Sequence, residues 1–168
     1  MNDNLIEDYR TVITNHLLTS NLIVDVVGDG KYSNKENTDL IPSEQLLWEK
    51  IFPAQYIPYT VQETGTYLFY DIEESVSQIN SYLSVNIIFW VITHKDSIKY
   101  NNKLKLDVLS REIKNIMNKN CNLGISKNNF VSNTLLNDQL LSEYTGRALV
   151  FNVTDFNDKL RYSKSDGR

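Results

Sequence analysis

One segment constrains this chain more than any other. Tyr82 to Thr93, YLSVNIIFWVIT, is rich in β-branched and aromatic residues, with a continuous apolar centre at Ile87-Ile88-Phe89-Trp90-Val91-Ile92. Such a run favours a strand, and it is far too short to cross a bilayer as a helix. Unbroken apolarity, in place of alternation, implies burial on both faces of a sheet. One face should meet helices, and the other a neighbouring layer or subunit. The rest of the chain has to supply that sheet and those helices.

Thr66-Tyr67-Leu68-Phe69-Tyr70-Asp71-Ile72-Glu73 reads as a second strand, Phe130 to Leu141 as a third and Tyr144 to Phe156 as a fourth. Two helical patterns flank them. Leu5, Ile6, Tyr9, Val12, Ile13, His16 and Leu17 recur at three- and four-residue spacing, which predicts a helix over 4–19 with Asp3 or Asn4 as its cap. Residues 103–118 carry the clearest amphipathic pattern, built on Leu106, Leu109, Ile113, Ile116 and Met117. Leu22 to Val27 is ambiguous between strand and short helix, and helix is preferred. The predicted fold class is α+β: an antiparallel four-stranded sheet with an N-terminal helix and one long central helix packed on it. The expected organisation is one domain over 1–156, with 157–168 as a polar C-terminal tail.

Residues 28–65 are long for a connection inside a compact domain. They read as an extended arm, with a possible short helix from Glu44 to Phe52 capped by Ser43. Pro53 and Pro58 impose an extended path beyond it. Phe52, Tyr56 and Tyr59 lack periodicity, so they suit an interface better than a core strand. The arm is expected to lie largely outside the core.

Enzyme chemistry finds little footing. A single cysteine, Cys121, excludes a disulfide framework and a cysteine-based zinc site, and His16 and His94 stand alone. Gly28-Asp29-Gly30-Lys31 lacks the spacing of a phosphate cradle and reads as a turn. Asp107 with Glu112-Ile113-Lys114 echoes the acid-x-lysine of metal-dependent nucleases. On a helix, however, positions two apart diverge, so a solvated face is the better reading. Glu73-Glu74 reads as the charged end of a strand. His94 has no nucleophile near it in sequence. The chain is therefore expected to be no enzyme, with no catalytic residue, metal or cofactor.

Composition adds two points. Twenty Asn, 15 Ile and 12 Lys against two Ala carry the imprint of an AT-rich genome. The net charge of −4 argues against coating nucleic acid by bulk charge, and no specific nucleic-acid recognition or membrane binding is expected. Within that total the charges segregate. Residues 36–94 hold eight acids and one base, a balance of −7, whereas 95–127 hold eight bases and three acids, a balance of +5. A two-signed surface suits head-to-tail self-association. The candidate acidic side is Glu36, Asp39, Glu44 and Glu49, and the candidate basic side is Lys103, Lys105 and Lys114.

Three pieces of sequence together resemble a known family. They are Ile51-Phe52-Pro53-Ala54-Gln55-Tyr56-Ile57-Pro58 leading into Thr66 to Asp71, the strand Asn86 to His94, and the turn Tyr100-Asn101-Asn102-Lys103 feeding Leu106 to Ile113. With the closing segment Tyr144 to Val153, their order is similar to that of the tail terminator and tail-to-head joining (neck) proteins of long-tailed bacteriophages, over roughly 45–156. The resemblance implies a structural virion protein, made in the host bacterial cytoplasm. It would form a closed homo-oligomeric ring, most often a hexamer, that ends the tail tube and joins it to the head connector. Its implied partners are copies of itself, the connector or adaptor proteins and the tail tube protein. The alternatives are a small phage-encoded metal-dependent nuclease and a monomeric adaptor.

Overall fold

The computed structural model describes residues 3–35, 39–54, 64–76, 82–121, 123–124, 128–136 and 143–156. Two helices open the chain, α1 (Asp3–Thr19) and α2 (Asn21–Val27), with Ser20 between them. The Ser20 hydroxyl accepts from the Ile23 amide and so caps α2. Short strands β1 (Tyr32–Ser33) and β2 (Ile41–Pro42) pair in parallel, and a 3-10 turn (Ser43–Leu46) leads to β3 (Ile51–Phe52). The long strands β4 (Thr66–Val76) and β5 (Tyr82–His94) follow. A hairpin, β6 (Lys99–Tyr100) and β7 (Lys103–Leu104), then runs into α3 (Lys105–Asn115). Asn101 and Asn102 turn that hairpin with φ of 46° and 61°, the left-handed pair that a two-residue turn needs and that asparagine tolerates. The chain ends with a π-turn (Ile116–Asn120), β8 (Asn129–Leu135) and β9 (Tyr144–Phe156).

The fold class predicted from the sequence needs correcting. Among the described residues the main sheet has five strands in the order β3-β4-β5-β9-β8, and it is mixed. The four expected strands do pair antiparallel, but β3 adds a parallel neighbour to β4, with Ile51 opposite Leu68 and Phe52 opposite Phe69. A parallel neighbour requires a crossover connection, and residues 53–65 supply that length. Pro53, which has no amide hydrogen to donate, ends β3 after two residues. The expected helix over 44–52 is thus a 3-10 turn followed by a strand. The central helix is shorter than its pattern suggested, because 103–104 are strand and 116–120 widen into the π-turn. Of the expected third strand, 130–135 is in β8, while 137–141 fall outside the described residues, as does the tail 157–168.

Alternation along the strands sorts side chains into two layers. Leu68, Tyr70 and Ile72 of β4, Val85, Ile87 and Phe89 of β5, and Leu149, Phe151 and Val153 of β9 enter the helix-side core. There they meet Tyr9, Ile13 and Leu17 of α1, Ile23 and Val27 of α2, and Leu106, Leu109 and Ile113 of α3. Burying each such side chain stabilises the fold by ~1.5–3 kcal/mol. On the opposite face, Phe52, Tyr67, Phe69, Ile92 and Tyr144 form a second cluster beside half-buried Trp90. Phe52 stacks on Phe69 at 5.0 Å. The arm does not stay outside the core as expected. Leu46 and Ile51 are fully buried in the helix-side core, and Phe52 is a member of the second cluster.

Candidate functional site

The two edges of the main sheet carry the features that point outward. On the β3 side, the chain leaves the 3-10 turn at Leu46 and swings through Trp48, whose φ is 67°. A bulky residue in the left-handed region is a steric outlier, held only by its surroundings. Here the Trp48 amide donates to the Ile51 carbonyl at 2.8 Å, and the Lys50 amide donates to the Leu46 carbonyl at 2.9 Å. Buried Leu46 and Ile51 anchor both ends of the turn, so the indole between them is thrown outward and is 61% exposed. It meets Phe52 edge-on at 6.5 Å. Leu40 and Ile41, just before the turn, are exposed as well.

On the opposite edge, β8 pairs with β9 through a register shift between Phe130 and Ser132. The bulge turns Val131 to solvent, 59% exposed, and Leu135 is 56% exposed. The Lys114 ammonium sits 3.5 Å from the centre of the Phe130 ring, which fixes a positive charge beside this edge. Phe130 itself touches the Phe151 ring of the core at 5.5 Å.

The charged residues singled out from the sequence take different places. Asp39 is exposed just before β2, Glu44 is exposed on the 3-10 turn, and Glu49 accepts from the Tyr32 hydroxyl at 2.7 Å. Lys103 is exposed on the β6–β7 hairpin, away from Lys114 in the chain path. Lys105 is only 5% exposed, and its charge is used within the subunit. Its ammonium donates to Asp29 at 2.5 Å and to Ser97 at 2.8 Å. Lys50 joins the same carboxylate at 3.1 Å. Burial pushes the Asp29 carboxyl up, but the hydrogen bonds from Lys105 and Lys50 outweigh this and hold it below its ordinary range. Glu36, Tyr56 and Tyr59 lie outside the described residues. Sequence reasoning missed Trp48, Val131 and Leu135. Nothing in Leu46-Leu47-Trp48-Glu49 signals a left-handed turn, since no Gly or Asn marks it.

The residues with chemical potential are occupied structurally. Asp107 pairs with Arg147 at 2.8 Å. His94 accepts from the Asp96 amide at Nδ1, and its Nε2 lies 3.7 Å from Glu143. Cys121 is buried, and burial pushes its thiol up to about 12, where it is a poor nucleophile. The described residues bring no group of three or more His, Cys, Asp or Glu side chains into metal-binding proximity. An open groove of about 340 Å³ between Ser20, Glu112 and His16 is polar and shallow.

The fold is an α+β domain with helices on one face of a mixed sheet and unlike apolar groups at its two edges. By sequence the chain belongs to the YomW family, whose model matches residues 20–153. That family name is of a phage-derived protein, so the chain is phage-related. No curated protein matches it.

Proposed function

We propose that this chain is a structural subunit of a phage virion, which joins copies of itself head to tail into a closed ring at the head–tail neck. In this reading the ring, six-fold by resemblance to neck proteins, ends the tail tube and docks it to the head connector. The observation that carries the reading is the pair of different exposed apolar groups on opposite edges of one sheet. Trp48 stands beside β3, bonded to Ile51 and edge-on to Phe52, and Val131 and Leu135 line β8. A self-complementary two-fold contact would use one patch twice, whereas a heterologous contact needs two unlike patches on opposite sides. The YomW match and its phage association support the setting.

The half-buried outer sheet face, with Ile88, Trp90, Ala148 and Val150, offers further apolar surface to a neighbouring ring or tube. The test is assembly. Purified protein should form rings of uniform size in electron micrographs, and antibodies against it should label the neck of phage particles. A chain that stays monomeric at high concentration, or labelling absent from particles, overturns the proposal.

A further inference from the structure

We infer that Trp48 is the anchor of the contact between copies, and that it seats against the bulged β8 edge of the next subunit. This rests on the ring reading above and names the surfaces it uses. The first observation is the backbone. The chain holds a tryptophan at φ 67°, with buried residues on both sides of the turn, in a way that leaves the indole outside. Exposed tryptophan in a rigid turn is the side chain that loses least freedom and covers most area when a partner arrives.

The second observation is where a matching surface lies. Among the described residues the β3 and β8 strands are at opposite ends of the sheet, so Trp48 cannot reach β8 of its own chain, whereas it can meet the same edge of a second copy. At that edge the bulge at Val131 interrupts the ladder and presents Val131 and Leu135 as an apolar rim. Charge supports the same pairing. The Trp48 turn is bracketed in sequence by exposed Glu44 and Glu49, while the β8 edge carries the Lys114 ammonium held over Phe130. Unlike charges therefore flank the two apolar surfaces, which steers the docking and fixes its direction. A second copy of this chain is the occupant that these features fit.

Trp48 and Trp90 are the two tryptophans, so Trp90→Phe leaves Trp48 as the sole fluorescent reporter. Its emission should move to the blue as protein concentration rises, in step with the mass measured by sedimentation. Trp48→Ala and Val131→Asp should each weaken assembly by ~30-fold or more, the lower bound for a central aromatic anchor, with an unchanged far-ultraviolet circular dichroism spectrum. Mixing those two variants provides the decisive reading. The Val131→Asp chain keeps its tryptophan, and the Trp48→Ala chain keeps its β8 edge. The mixture should form one-to-one dimers that grow no further. If the wild type assembles while Trp48 emission stays unshifted, or if the mixture yields no dimer, this inference fails and the ring reading stands. If the wild type never assembles, both fail.

Discussion

The Lys105 ammonium lies 2.5 Å from the Asp29 carboxylate, joining two residues 76 positions apart. Asp29 sits in the turn after α2, and Lys105 begins α3, so the contact ties the end of α2 to the start of α3. Lys50, just before β3, holds the same carboxylate. Tyr100 adds a short hydrogen bond to Asp25 and fastens the β6–β7 hairpin to α2. A lysine that reads as a surface charge in sequence is thus part of the framework that positions the arm.

Breaking that contact should cost stability unequally from its two sides. Asp29→Asn leaves the buried Lys105 charge without its counter-ion, and is expected to destabilise by about 3 kcal/mol, the low end for a broken buried pair, because the carboxylate is partly exposed. Lys105→Met removes the charge and keeps the stem, while Asp29 retains Lys50, so its cost should be smaller, about 1–2 kcal/mol. Urea unfolding midpoints at neutral pH measure both. Costs near zero would show that the pair does not hold the fold, and equal costs would show that Lys50 does not sustain Asp29 once Lys105 is gone.

The same carboxylate sets an acid dependence with a definite sign. Its folded pKa is lowered below the ordinary 3.8, so the unfolded chain takes up the proton first as pH falls. The stability it contributes is whole above that ordinary value, and it is lost as pH drops through the lower folded value. Thermal midpoints recorded from about pH 6 to about pH 2 should fall less steeply at the acid end in Asp29→Asn than in the wild type. Parallel slopes would remove Asp29 from the account.

Gly124 is a position where the backbone admits no side chain. Its φ is 65°, and a Cβ there would lie 2.4 Å from the Thr154 carbonyl and 2.7 Å from Val153. Both neighbours belong to β9, where they pair with Ser84 and Val85 of β5 and cannot give way cheaply. Gly124→Ala should destabilise by about 2–4 kcal/mol, adding overpacking to the cost of a left-handed alanine. Calorimetry of the purified variant would read it directly, and a loss below about 0.5 kcal/mol would contradict the packing.

Trp48 should behave in the opposite way. The left-handed backbone costs a non-glycine residue about 1–2 kcal/mol, partly offset in a glycine variant by the greater freedom of its unfolded chain. Trp48→Gly is therefore expected to leave the subunit as stable as wild type, or more stable by up to about 1 kcal/mol, in dilute conditions where it is monomeric. A marked loss of stability would mean that the indole serves the fold of its own chain.

The legible parts of this protein were those in which neighbours in sequence act together. The apolar run from Tyr82 reads as a strand and forms one over Tyr82–His94, and the pattern from Tyr144 forms β9 over its full predicted length. The spacing of Leu106, Leu109 and Ile113 marks α3, and Asn101-Asn102 marks a tight turn. These are short-range matters of propensity, period and turn chemistry, and such residues carry them alone. The parallel pairing of Ile51 with Leu68 was not legible, because a two-residue strand has no period of its own and is defined by the strand it meets. Only tertiary structure decided that Lys105 would be buried, since its environment is made by Asp29, Lys50 and Ser97 from three other parts of the chain. It also decided that Trp48 would stand outside, because Leu46 and Ile51 are buried and the hydrogen bonds of the Trp48 and Lys50 amides hold the turn between them.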